Sequence, residues 1–266
     1  MPDPIPLAPD PDELQGPALP GRSVIRADRY GVYEALGSEL LAFAVQCVEK
    51  FGDFHLALSG GSTPFPLYEQ LMTDPKFRSF PWGRTHLWVV DERRVPFDHP
   101  LSNWRQISEI LADHSGIPHE HLHPMMATEP DAAAQYEQAL VNAFAARPRG
   151  DARLDFVLLG MGDNGHTASL FPHTAVLDEG VRLVGECDGP TVTPPPRITM
   201  TYPLINAARF VAVLVVGASK AEMIHRVAGA GDDFHELPIK GIRPEVADAE
   251  RGRLVWFLDR AAAGAS

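Results

Sequence analysis

Phe210-Val211-Ala212-Val213-Leu214-Val215-Val216 is an apolar run with no polar residue in it. A half-exposed strand alternates apolar and polar positions, so a short unbroken run reads as a strand buried on both faces. Comparable segments recur at 54–58, 85–90, 154–159 and 254–258. Between them lie stretches with helical spacing. From Tyr30 to Phe51 the apolar residues Val32, Leu36, Leu40, Leu41, Ala44, Val45 and Val48 fall on one repeat, and Gly52 is its natural stop. Doubly buried strands alternating with helices predict an α/β fold, with a mostly parallel sheet covered on both sides.

The remaining elements fit that pattern. Ser23–Arg26 reads as a first strand. Pro64 suits the first turn of a helix carrying Leu67, Tyr68 and Leu71. Ser102 or Asn103 is placed to cap a helix through Ile107, Ile110 and Leu111. A further helix is expected over Ala132–Ala146, a strand over Val181–Val184, an extended run up to Thr201 after the prolines at 194–196, and a helix from Gly217 to Val227 through Lys220. Residues 1–21 hold seven prolines, several acids and little apolar content, which predicts a flexible extension. Residues 22–266 show no internal linker and are expected to form one domain.

Charge and cysteine usage narrow the function class. A net charge of -12 argues against a nucleic-acid partner, which needs clustered Lys and Arg. Cys47 and Cys187 are the only cysteines and form no CxxC pair, so a reducing cytoplasm is the expected setting. No apolar run approaches the ~20 residues of a membrane span. The N-terminus has neither the basic region nor the apolar region of a signal peptide. His119, His121 and His123 form an HxHxH pattern, but the surrounding prolines and acids predict a surface loop and no metal site.

Three segments at expected strand ends carry the chemistry. Ser59-Gly60-Gly61-Ser62-Thr63-Pro64 joins a strand to a helix; its backbone N–H groups, the helix N-terminus and the hydroxyls of Ser62 and Thr63 make an anion cradle. It is neither a P-loop nor a GxGxxG fingerprint, so no nucleotide cofactor is indicated. Asp91-Glu92-Arg93 supplies an acid for proton transfer or an arginine for phosphate. Gly160-Met161-Gly162-Asp163-Asn164-Gly165-His166 turns sharply after a strand and presents His166, a natural base near neutrality. Arg197 and Lys220 add cations at strand and turn positions.

In order along the chain, SGGSTP, DERRVPFDHPLSN, GMGDNGHTASLFP, PPRITMTYPLINAAR, VGASKAEMI and the closing WFLDRAAA resemble the 6-phosphogluconolactonases of the pentose phosphate pathway. The resemblance spans about Val24 to Ala263. It implies a modified Rossmann-like three-layer sandwich like that of the glucosamine-6-phosphate deaminase and ribose-5-phosphate isomerase group. It also implies cofactor-free hydrolysis of a sugar-phosphate lactone, by a monomer or small homo-oligomer. His166 falls on the family's catalytic histidine, with Asp91 as a second catalytic candidate. Gly60, Gly61, Ser62, Thr63, Arg93, Asn164, Gly165, Arg197 and Lys220 fall around the sugar phosphate. The related deaminase/isomerases carry a DEY-type block and an acid soon after the Gly-His pair; here Asp91-Glu92-Arg93 and Ser169-Leu170-Phe171-Pro172 stand there, which favours the lactonase. An isomerase would use Asp91 as its base, and a non-enzymatic sugar-phosphate sensor is the other alternative. Where the lactonases usually carry Asp-Gly-His, this chain has Asn164-Gly165-His166. An asparagine can hydrogen-bond the imidazole but cannot stabilise its cation by charge.

Overall fold

A computed structural model describes residues 16–147, 152–194, 196–244 and 253–265. Seven strands make the main sheet: β1 (Arg22–Arg26), β2 (Phe54–Leu58), β3 (Thr85–Val89), β5 (Leu122–His123), β6 (Phe156–Gly160), β9 (Phe210–Val215) and β10 (Arg253–Asp259). Their order is β1-β10-β9-β6-β2-β3-β5, and every pairing is parallel. A smaller antiparallel sheet joins β4 (Asp91–Arg93), β8 (Arg197–Met200) and β7 (Val184–Cys187) in the order β4-β8-β7.

Burial explains the main sheet. Every residue of β2 and β9 is buried, as their unbroken apolar sequences require. The helix Arg29–Phe51 lays Val32, Leu36, Leu40, Ala44 and Cys47 against the sheet, and Asp28 caps its start by accepting from the Gly31 N–H at 2.9 Å. Phe43 of that helix tilts against Phe156 and Phe210, whose rings stack at 4.6 Å. No helix among the described residues is long and apolar enough to cross a membrane.

From β2 the chain moves outward through β3 to β5; from β6 it moves the other way through β9 to β10. The strand order therefore reverses between β2 and β6. In open α/β sheets, ligands bind at such a switch point, at the carboxyl ends of the strands. The glycine turns after β2 and β6 flank it, and Ser59 Oγ donates across it to the Leu158 carbonyl at 2.8 Å.

Asp91–Arg93 emerges at the end of β3, as expected, but forms a strand of its own in the small sheet. Val90 is the hinge: its N–H donates to Leu58 in the main sheet, while its carbonyl accepts from Met200 in the small one. The strand expected over Val181–Val184 begins only at Val184, because the Glu179 carboxylate captures the N–H groups of Val181 and Arg182 at 2.8 and 2.9 Å. The HxHxH segment is no solvated loop. His119–His121 is a 3₁₀ turn, and His123 lies on edge strand β5 with its ring stacked 3.7 Å from Trp88. The expected N-terminal extension is tethered at its end, since Trp256 Nε1 donates to the Pro20 carbonyl at 2.8 Å; residues 1–15 of it lie outside the described residues.

Candidate active site

A cleft of about 190 Å³ opens at the switch point, walled by the turns after β2 and β6 and by β4 and β8. The β2 turn is braced from below: the Tyr68 hydroxyl donates to the Ser59 carbonyl at 2.7 Å, and the Tyr33 hydroxyl to the Thr63 carbonyl at 3.0 Å. Gly60, Gly61 and Thr63 line the cleft, just ahead of the helix Phe65–Thr73. The backbone N–H groups at this helix start favour an anion. Ser62 is exposed and lies outside the cleft wall.

Two arginines face the same space. Arg93 and Arg197 are direct partners across the antiparallel β4–β8 pair, and both line the cleft. Like charges directly opposite one another destabilise a sheet, so an anion between them is the physical complement of this pair. Arg197 is nine-tenths buried; its Nη1 lies 3.7 Å from the Asp91 carboxylate and donates to Ser169 Oγ at 3.4 Å, while Nε donates to the Pro194 carbonyl. Burial lowers its pKa, Asp91 opposes that shift, and Arg93 adds to it. Asp91 also accepts from Ser169 Oγ at 2.6 Å. The sequence carried no local sign of that bond, which joins residues 78 positions apart.

The turn after β6 sets the histidine. Gly165 N–H donates to the Gly162 carbonyl, and Gly162 N–H to the His166 carbonyl, closing a compact loop. Only a glycine at 162 leaves the imidazole in this place, because a Cβ would fall 2.0 Å from its Cε1. His166 Nδ1 and Asn164 Oδ1 lie 2.5 Å apart. The amide oxygen only accepts, so Nδ1 carries the proton and Nε2 keeps the lone pair. The ring stacks on Phe171 at 4.2 Å, and the Arg197 guanidinium lies 5.3 Å from that same Phe171 ring. Burial pushes the His166 pKa down to about 4; Asp91 raises it, and Arg197 and Lys220 lower it further. The imidazole is therefore neutral at neutral pH and available as a base.

Asn164 is exposed and reaches the cleft only through His166, while Gly165 is buried under Leu237. Lys220 stands outside the cleft wall: its ammonium donates to the Met161 carbonyl at 2.9 Å and pairs with Asp163. Asn103, read from the sequence only as a helix cap, lines the cleft beside Arg93.

Asp53, His55 and His86 form a separate group whose ligand atoms lie within 4.8 Å of one another, at the opposite ends of β2 and β3. Trp88 Nε1 donates to His55 Nδ1 at 3.1 Å, so His55 Nε2 carries the ring proton. Arg147 already pairs with Asp53. A cation there would have to displace that proton and compete with a guanidinium.

Residues 27–256 match the family described as glucosamine-6-phosphate isomerases/6-phosphogluconolactonase. A 6-phosphogluconolactonase from a Nostoc species is 44% identical over 223 residues, covering 82% of this chain and 86% of that protein. The human GDH/6PGL endoplasmic bifunctional protein is 41% identical over 231 residues, and the match spans only 28% of its length. The crystal structure of 6-phosphogluconolactonase from Thermotoga maritima superposes with a TM-score of 0.73 at 28% identity, covering 90% of this chain and 99% of that one. With the cleft at the switch point and the motifs that line it, these matches place the chain in the glucosamine-6-phosphate isomerase/6-phosphogluconolactonase family.

Proposed function

We propose that the chain hydrolyses 6-phospho-D-glucono-1,5-lactone to 6-phospho-D-gluconate, the activity for which its Nostoc and Thermotoga relatives are named. The observation that carries this reading is the neutral His166, with Nδ1 tied to Asn164 and Nε2 free to accept, on the wall of a cleft that holds two opposed arginines.

The substrate phosphate binds Arg93, Arg197 and the Gly60-Gly61 turn. Anchoring it there turns remote binding energy into orientation of the lactone ring. His166 Nε2 takes a proton from water as the water oxygen attacks the lactone carbonyl. Backbone N–H groups of the glycine turns support the developing oxyanion. The imidazolium then returns its proton to the departing ring oxygen. Water is the only co-reactant, and no cofactor enters any step. Asp91 helps through charge, favouring the imidazolium as it forms. Its Oδ2 accepts from Ser169 Oγ, which fixes the carboxylate beside Arg197. With two cysteines and no CxxC pair in its sequence, the chain is assigned to a reducing compartment such as the cytoplasm.

The test is to generate the lactone freshly from glucose 6-phosphate and measure hydrolysis above the spontaneous rate, with ammonia release from glucosamine 6-phosphate measured in parallel. Hydrolysis without ammonia release is the expected result. Ammonia release alone would assign a deaminase, and binding with neither activity a sensor.

A further inference from the structure

We propose that Asn103 is a positioning residue that aims the Arg93 guanidinium into the cleft, and that Glu92 fixes Asn103 in turn. The proposal rests on reading the cleft as a sugar-phosphate site.

Asn103 opens the helix Asn103–Ile107 and is 2% exposed. Its amide makes three contacts at once, two with β4 and one with the turn after β2. Nδ2 donates to the Asp91 carbonyl on β4 at 2.7 Å. Oδ1 accepts from Arg93 Nη1. The same oxygen packs against the cradle after β2, where a Cβ on Gly60 would fall 1.9 Å from it. The glycine is therefore required at position 60 by a side chain 43 positions later, and not only by a ligand. Arg93 Nη1 has a second fixed acceptor in the Leu101 carbonyl at 2.9 Å. A long arginine has many rotamers, and two acceptors on rigid supports select one of them.

Glu92 supplies that rigidity. Its carboxylate is 2% exposed and takes four hydrogen bonds: the N–H groups of Arg93, Asn103 and Trp104, each at 2.8 Å, and Ser102 Oγ at 3.0 Å. Burial raises its pKa and those bonds oppose the rise. A carboxylate at this position satisfies N–H groups that a helix start leaves without partners. It welds the helix to β4, so the Asn103 amide and the Arg93 backbone keep one spacing. Asn103 contributes no charge to the site; its effect passes through Arg93.

A double-mutant cycle on the full chain tests this, using Asn103→Ala, Arg93→Ala and the pair. The readouts are kcat and KM on the lactone and the Kd for inorganic phosphate by calorimetry. Asn103→Ala is expected to raise KM and the phosphate Kd roughly tenfold, the size of one lost charge-assisted hydrogen bond, with kcat within a few-fold of wild type. The double variant is expected to be no weaker than Arg93→Ala alone. Fully additive losses, or wild-type KM and phosphate affinity in Asn103→Ala, would overturn the proposal. If Asn103→Ala does not fold, Asn103→Asp takes its place, since an acid suits a helix start. Its carboxylate still accepts from Arg93 but neutralises it. Weaker phosphate binding at an unchanged Tm, an effect lost in the Arg93→Ala background, supports the proposal; an equal loss in both backgrounds, or wild-type binding, overturns it. A wild-type chain with no lactone turnover, but with phosphate affinity that depends on both residues, would reject the lactonase reading and sustain this one.

Discussion

His166 is bound by a residue only two positions before it: Nδ1 lies 2.5 Å from Asn164 Oδ1, and the His166 backbone N–H reaches the same oxygen at 3.2 Å. One amide oxygen thus sets both the ring's tautomer and its orientation. A carboxylate in that place would do the same and add charge.

That difference gives a signed prediction for Asn164→Asp. The carboxylate favours imidazolium, so the His166 pKa should rise from about 4. The base is active only when neutral, so the acidic limb of kcat/KM should move to higher pH. A pH–rate series from 4 to 8 reads this directly. A limb that stays in place would mean that position 164 only shapes the turn, and one that moves lower would contradict the predicted sign.

Gly162→Ala tests how tightly the imidazole is placed. The new Cβ would meet the ring at 2.0 Å, and the ring must move. A misplacement of about 1 Å can cost on the order of 10²-fold in rate. The variant should therefore lose kcat by about that factor while melting close to wild type. Wild-type turnover would show that the ring has room to spare.

The opposed pair Arg93 and Arg197 should make the fold respond to anions. A ligand that binds only the folded state stabilises it, by ~2.7 kcal/mol at 100 times its Kd. Inorganic phosphate should raise the Tm of the wild type and do so far less in Arg197→Ala. Equal rises in both would move the anion site elsewhere.

Much of this architecture was legible because its signals are local. The run at β9 specifies a doubly buried strand from its own composition, and the glycines after β2 and β6 announce turns where a ligand can approach. What stayed hidden is long-range. Nothing near Asp91 says that β4 leaves the main sheet to pair with β8, and nothing near Arg197 says that Arg93 faces it. Asn103 read with Ser102 as a cap candidate because both sit at a local helix start, where Ser102 takes the cap; its contacts come from two other places in the chain, Asp91 with Arg93 on β4 and Gly60 after β2. Nothing near Lys220 says that it pairs with Asp163 in the β6 turn.

His123, expected in a surface loop, and its strand neighbour His86 give an acid-stability prediction. Burial, then neighbouring imidazoles, push His86 and His123 down to about 3. The unfolded groups titrate near ~6.5. Below that pH the unfolded chain binds protons that the fold refuses, so the stability present above ~6.5 is lost as pH falls toward 3. His123→Phe keeps a ring over Trp88 and removes one of these groups, so its Tm should fall less steeply from pH 7 to 4. A curve parallel to wild type would contradict the assignment.

The role of His166 as the base of lactone hydrolysis is tested most directly by the turnover of freshly generated 6-phospho-D-glucono-1,5-lactone by His166→Ala beside the wild type. The wild type should hydrolyse it well above the spontaneous rate, and the variant should lose about 10²–10⁴-fold in kcat with KM little changed. A variant that turns over the lactone as fast as the wild type would contradict that role.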